Sequence, residues 1–387
     1  VTAGSAADDV QGSTLTLARA LVACPSITPA DAGALTLIER RMSFVGCRCE
    51  RMDRNGVGNL WVTHGAGAPL IVLAGHVDVV PPGPLDQWTV DPFEGAVRDG
   101  WLIGRGSADM KGSVAAMVTA FERLVAREPD HRGSLALLLT GDEEGDALDG
   151  TRAVVDGLVQ RGITIDCAVL GEPTSAERFG DTIKNGRRGS LTGVLRVRGV
   201  QCHVAYPERG KNPIHAALPA LAELAGTVWD RGNPYFGPTT LQIANVHAGT
   251  GTANVVPGSL EVQFNLRFSP DSPAASLRER IEAILTRSGV DYQLQWTLSA
   301  EPFMTPAGNL VAVVADTIQS VTGVRPELST SGGTSDGRFL AGISREVIEF
   351  GPLNDTIHKV DERISVSDLG RLSTIYEGIA RKLIASN

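Results

Sequence analysis

One stretch limits the folds open to this chain more than any other: Leu70–Gly112, LIVLAGHVDVVPPGPLDQWTVDPFEGAVRDGWLIGRGSADMKG. It opens with a bare apolar run, Leu70–Ala74, bounded by turn residues. Such a run reads as a strand buried on both faces, as the strands of a parallel sheet are. At its end stand His76 and Asp78. Side chains two apart on an extended segment share a face, so the Asp78 carboxylate is placed to accept the second ring N–H of His76. That bond would fix the tautomer and leave the other ring nitrogen for a metal. Asp109 follows in a Gly-rich turn, just before Gly112–Val125, where Val114, Val118, Phe121 and Val125 mark one helical face. Open α/β sheets gather their chemistry in such turns, beyond the carboxyl ends of the strands. Taken alone, an H-x-D is more often a satisfied structural histidine, so the weight falls on what lies downstream.

Downstream the pattern repeats. Ser134–Thr140 is a second apolar strand, running into Gly141-Asp142-Glu143-Glu144-Gly145, and Cys167–Leu170 a third, ending in Gly171-Glu172-Pro173. Helical spacing is read at Thr14–Ala23, with Ser13 as N-cap, at Asp31–Val45 and at Thr151–Gln160; Cys47–Met52 and Asn59–Thr63 read as extended. Strands alternating with helices, without internal repeat, predict an α/β fold with a mainly parallel sheet. Near Arg188 the character changes. Ser190–Arg198 alternates Leu191, Leu195 and Val197 with Thr192, Arg196 and Arg198, as a strand with one wet face does. A helix at Asn212–Trp229, strands at Thr240–Val246 and Ser259–Phe268, a helix at Ser272–Ser288 and a strand at Asp291–Leu298 complete a β-α-β-β-α-β, ferredoxin-like unit. The α/β pattern resumes after Glu301, with helices near Ala307–Val321 and Ser367–Ile384. The expected division is therefore a larger domain in two parts, 1–188 and 302–387, with an α+β domain, 189–301, inserted between them.

Composition removes several classes of function. With 387 residues, 42% hydrophobic and 20% charged, the chain is an ordinary globular one, long enough for two domains. A formal net charge of −9 with no Lys/Arg-dense segment argues against a nucleic-acid surface. No apolar run approaches a membrane span. Residues 1–13 are small, acidic and polar, lack the basic start and apolar stretch of a secretory signal, and read as a disordered tail. The five cysteines are odd in number and scattered. Cys47 and Cys49 form C-x-C with no second pair at zinc-finger spacing, which reads as a half-buried strand in a reduced, cytoplasmic protein.

Five candidate ligands stand at matching places beside Gly or Pro turns: His76, Asp109, Glu143 or Glu144, Glu172, and His358 in GPLNDTIHK. Singly, each is more simply a solvated acid, a helix cap or a packed histidine. Together, two imidazoles and three carboxylates without cysteine suit a pair of divalent cations, zinc, cobalt or manganese, rather than a structural Cys-rich zinc site. A carboxylate has two oxygens and so can bridge two metals, with an acidified water between them. Neighbouring side chains on an extended turn diverge, so one member of Glu143-Glu144 can bind metal while the other faces the water as a general base.

GHVDVVPPG, GRGSADMKG, TGDEEG and GEPTS resemble the dizinc aminoacylase and carboxypeptidase family of co-catalytic metallopeptidases, and the resemblance covers nearly all of the chain after about Thr14. It implies that Asp109 bridges two zinc ions, with His76 and Glu172 on one and Glu144 and His358 on the other. It implies Glu143 as general base, Asp78 as the residue that orients His76, and the inserted domain as a lid through which a homodimer forms. In that family His203 would reach the partner's site and donate to the oxyanion. NGRRGS, HVAYPERGKNPIHA, NVVPGSLEVQFNLRF and SGGTSDGRF resemble the branch of the family that hydrolyses N-succinyl-L,L-diaminopimelate to succinate and L,L-diaminopimelate, in lysine biosynthesis. Deacylation of another acyl-amino acid, such as acetylornithine, and a catalytically silent ligand-binding homologue are the other readings. Cys202 departs from the pattern, standing where Gly is common.

A substrate with carboxylates at both ends needs cations and N–H donors away from the metals. Arg187 and Arg267 carry the planar fork suited to a carboxylate, and Gly332-Gly333-Thr334-Ser335 resembles a backbone nest with hydroxyls. With them Ser190, Tyr206, Asn254 and Asn354 make up the expected substrate set. His64, His131, His215 and His247 have no such context and read as structural.

Overall fold

A computed structural model describes residues 3–385 and divides into two compact units. The first runs up to Gly186 and takes in Met304–Ser329 and the chain from Ser335 onward. Among its described residues one sheet holds eight strands, in the order Arg48–Arg51, Asn59–Ala66, Gly133–Thr140, Leu70–His76, Ile165–Leu170, Ser344–Glu349, Thr182–Lys184 and Glu327–Ser329. The middle of the sheet is parallel: Leu70–His76 lies between Gly133–Thr140 and Ile165–Leu170, and Ser344–Glu349 follows in the same direction. Antiparallel pairs flank it. The three parallel strands read from the sequence are those whose side chains are almost wholly buried, as a sheet covered on both faces requires. Gly112–Arg127 buries Val114, Val118, Phe121 and Val125, together with Met117 and Leu124, and packs on Val366–Ala385 and on the N-terminal helix.

That N-terminal helix corrects an expectation. It spans Ala3–Val22, so residues 3–13 are helical rather than a tail, and Ser13 lies inside the helix instead of capping it; Val1 and Thr2 lie outside the described residues. Tertiary packing explains the extension. Thr14, Leu17, Ala18 and Leu21 are buried, and the Thr14 hydroxyl meets that of Thr119 at 2.9 Å. The segment before them, residues 3–13, then continues a helix that is already nucleated. The strand Ser344–Glu349 was not anticipated, because SREVIE begins polar and only its last residues are buried.

The second unit comprises Arg187–Phe303 with Thr330–Thr334. Strands and helices follow as Gly189–Arg198, Pro213–Gly226, Thr240–Ala248, Ser259–Phe268, Ala274–Arg287 and Tyr292–Ala300. The sheet order is Thr240–Ala248, Ser259–Phe268, Gly189–Arg198, Tyr292–Ala300, antiparallel throughout. Its own core includes Leu191, Leu195, Val197, Leu260, Val262, Phe264, Leu277 and Ile281. The helix Pro213–Gly226 starts where Asn212 accepts the Ile214 N–H at 2.9 Å, with proline at its first position. Among the described residues, no helix is long and apolar enough to cross a membrane.

Candidate metal centre

Register in the parallel sheet brings the site together. His76 lies opposite Thr140, and Ala74 opposite Leu170, so the turns 141–145 and 171–173 emerge beside His76 at one end of the sheet. This is where an open α/β sheet exposes backbone and side chains to a ligand. Asp109 comes from the turn before Gly112–Arg127, and the bond from Asp109 to Met110 is cis. The Met110 side chain is wholly buried against Gly75 and Gly171; a β-carbon at either glycine would collide with its terminal methyl. The glycines in GHVD and GEP thus make room for the residue next to Asp109. His358 comes from the loop before the last strand and holds a left-handed backbone, φ 60°. For a non-glycine residue that conformation is uncommon and is kept only where its surroundings demand it.

His76 is buried at 1% exposure. Its Nδ1–H donates to the backbone carbonyl of Asp78 at 2.9 Å, leaving Nε2 facing Asp109 Oδ1 at 3.2 Å. The two-residue spacing of His76 and Asp78 predicts that bond to the Asp78 carboxylate. The carboxylate is instead 3.6 Å from Nδ1 and accepts the backbone N–H groups of Glu143 at 3.3 Å and Glu144 at 3.1 Å. Past His76 the chain leaves the main sheet to pair Val79 with residues 26–28, and the simple two-residue alternation is lost there. Asp78 therefore presents a carbonyl to the histidine and its side chain to the acidic turn.

The other Asp109 oxygen, Oδ2, lies 3.4 Å from His358 Nε2, which is also 2.9 Å from Glu144 Oε1. One carboxylate thus turns an oxygen to each of two imidazoles. Donor atoms converge in overlapping groups: His76 with Asp109 and Glu172, Asp109 with Glu144 and His358, and His76 with Glu143 and Glu144. The local charge is strongly acidic, and the side chains respond. Burial works against a charged His76, yet Asp109, Asp78, Glu143 and Glu172 hold its basicity well above that of a free imidazole. Hydrogen bonds that the ring donates to the Asp109 and Glu144 carboxylates raise His358 to about 10. Burial opposes ionisation of Asp109, but the two histidines overcome it and hold the carboxyl well below the ordinary range. Glu143 goes the other way, raised by burial and then by Glu172. Imidazole nitrogens and carboxylate oxygens that converge in this way form a donor set able to hold a divalent cation.

The substrate candidates fall in separate places. In the second unit, Ser190 lies opposite Arg267 across the central strand pair, and the Ser190 hydroxyl accepts from Asn265 at 3.1 Å. Arg187 donates to the carbonyls of Ser331 at 3.2 Å and Gly333 at 3.4 Å, tying it to the Gly-rich turn that continues through Thr334. His203, Tyr206 and Asn254 are exposed and adjoin one another: the His203 and Tyr206 rings are 5.9 Å apart, and Val204 N–H donates to the Asn254 carbonyl at 3.1 Å. In the first unit, Asn354 is exposed, whereas Ser335 is buried and gives its hydroxyl to Glu349. That hydroxyl is committed within the first unit.

Sequence reasoning missed three buried groups. Glu362, four residues past His358, accepts from the Asp109 turn. Asp336, raised by burial to about 6, feels the charges of His76 and Asp78. Lys111, lowered by burial to about 8, donates to the Cys24 carbonyl at 2.7 Å. The only cue was their place in DER, TSDGR and DMKG, beside residues already singled out. His64 and His131, read separately as structural, meet at 2.9 Å.

Against known proteins, the model of Peptidase family M20/M25/M40 matches residues 72–382. The succinyl-diaminopimelate desuccinylase of Dechloromonas aromatica is 56% identical over 96% of this chain and 99% of its own length. That of Thiobacillus denitrificans is 56% identical over 97% and 95%. Among solved structures, an M20 family metallo-carboxypeptidase from Sulfolobus solfataricus superposes with a TM-score of 0.79 at 16% identity, covering 96% of this chain and 99% of that one. A dinuclear metal binding peptidase of the M20 family from Bacillus subtilis does so with a TM-score of 0.76 at 16% identity, over 98% and 100%. The chain belongs to the M20/M25/M40 peptidase family, on its succinyl-diaminopimelate desuccinylase branch.

Proposed function

We propose that this protein hydrolyses N-succinyl-L,L-diaminopimelate to succinate and L,L-diaminopimelate at a centre built for two divalent metals. The observation that carries the reading is the Asp109 carboxylate, with one oxygen turned to His76 and the other to His358. The donor set fits the metals: imidazole and carboxylate suit zinc, with cobalt or manganese as substitutes, and no cysteine joins the cluster. His76 and Glu172 would hold one ion, Glu144 and His358 the other, and Asp109 both. When bound, such a pair would polarise an amide carbonyl and acidify a bound water.

The chain's own groups do the rest. Glu143 takes a proton from the attacking water on its carboxylate and passes it to the amine nitrogen as the amide C–N bond breaks. Asp78 holds the backbone N–H groups of Glu143 and Glu144 on one carboxylate, which fixes the two acids in their divergent roles. Arg187 and Arg267, with Ser190, Tyr206, Asn254, Gly333, Thr334, Ser335 and Asn354, form the set that recognises the two charged ends of the substrate. His203 donates to the oxyanion in the partner's site of a homodimer formed through the inserted domain. A cytoplasmic location is part of this reading, and the five cysteines standing free of disulfides accord with it.

The test compares purified, metal-loaded protein on N-succinyl-L,L-diaminopimelate and on N-acetylornithine. The reading expects a kcat/KM at least about 100-fold higher for the succinyl substrate, since the acetyl analogue lacks the acyl carboxylate that a guanidinium fork would hold. Equal or reversed preference overturns the substrate assignment while leaving the metal centre standing.

A further inference from the structure

Glu362 is fully buried, and four donors converge on its carboxylate. Oε2 accepts from Gly106 N–H at 2.9 Å and from Arg105 Nη1 at 2.6 Å; Oε1 accepts from Ala108 N–H at 3.0 Å and Asp109 N–H at 2.9 Å. Its own backbone carbonyl accepts from Gly104 N–H at 2.9 Å. The turn 104–109 is thus an anion-binding nest filled by a side chain of the same protein. Arg105 is buried too, donates to the Lys359 carbonyl at 3.2 Å, and lies 5.4 Å over the Trp88 ring. Lys359 adjoins His358, so the same pair grips both sides: the turn that carries Asp109, and the loop that carries His358.

We propose that Glu362 is a positioning residue that sets metal affinity. By holding the N–H of Asp109 itself it fixes that carboxylate between the two imidazoles, and with Arg105 it fixes the His358 loop against the same turn. The inference rests on the reading of Asp109 and His358 as metal ligands. Both oxygens of Glu362 face donors, so the turn needs an acceptor at each. An amide of the same shape would turn an NH₂ group toward either Gly106 and Arg105 or Ala108 and Asp109, leaving donor against donor in a buried place. Groups that orient metal ligands in this way typically change metal affinity by about 10- to 100-fold when replaced.

The experiment measures zinc affinity by chelator competition, well below the melting temperature, on Glu362→Gln, Arg105→Lys and Asp109→Ala, with circular dichroism to establish folding. Folded Glu362→Gln is expected to bind zinc about 10- to 100-fold more weakly. A fall in melting temperature with zinc affinity within about twofold of the parent would mean that Glu362 only stabilises the fold, and overturns the proposal. Should Glu362→Gln fail to fold, Arg105→Lys decides: it keeps the charge but loses the fork, and weaker zinc binding supports the proposal whereas unchanged binding overturns it. Asp109→Ala separates the two levels. If it retains zinc, the site reading falls and takes the proposal with it; if it loses zinc while Glu362→Gln keeps it, only the positioning role falls.

Discussion

On the proposed reading, two adjacent glutamates do different work. Glu144 shares the group of Asp109 and His358, whereas Glu143 is pressed by burial and by Glu172. Glu143→Ala is therefore expected to keep its metal while turnover falls by about 10²- to 10⁴-fold, the range for losing a general base. Glu144→Ala should lose metal as well, and metal analysis beside kcat checks both; the opposite pattern would swap the roles. His358 gives the pH dependence. In the metal-free protein its carboxylate neighbours hold the proton up to about 10, while metal needs the neutral ring. Binding then displaces a proton at neutral pH, so zinc affinity should rise with pH, by about tenfold per unit for each proton displaced. Chelator competition from about pH 6.5 to 8.5 tests this, and a flat profile would mean that His358 is already neutral. The side chains that converge at the sheet end were legible as candidate ligands because each ends an apolar run or adjoins a Gly or Pro turn. The use Asp78 makes of its carboxylate was not, since the bend beyond His76 depends on pairing with residues 26–28. Nor was Glu362, whose partners lie more than 250 residues earlier in the chain.

At the scale of the element, the strands that carry the site were the easiest to read. LIVLA, SLALLLT and CAVL have no polar face, and only a doubly covered sheet accommodates that. Ser344–Glu349 extends the same parallel ladder yet was invisible, because the contacts that make it a strand come from Ile165–Leu170. The N-terminal helix was cut short for a similar reason: its first turns follow from burial further along it. Packing at Gly75 yields a prediction at this scale. Gly75→Ala forces a β-carbon into the Met110 methyl, and overpacking of this kind costs about 1–3 kcal/mol. Urea unfolding of the metal-free variant measures it; a loss below about 0.5 kcal/mol would show that Met110 has room to move. Because Met110 follows Asp109, the same variant should also bind metal more weakly.

For the whole molecule, the inserted unit has a core and a sheet of its own, which suits a module that serves a neighbour. If His203 acts across a homodimer, mixing Glu143→Ala chains with His203→Ala chains should restore activity, since one site of the mixed dimer then has both groups intact. A verified mixed dimer without activity would assign His203 to its own chain. Everything else depends on the centre at the end of the parallel sheet, and above all on Asp109 facing two imidazoles. Metal content and affinity of the parent, Asp109→Ala and His358→Ala proteins test that most directly. The account predicts about two divalent ions per parent chain, loss of both with Asp109→Ala, and loss of mainly one with His358→Ala. A single tight ion per chain, bound as firmly without the Asp109 carboxylate as with it, would contradict it.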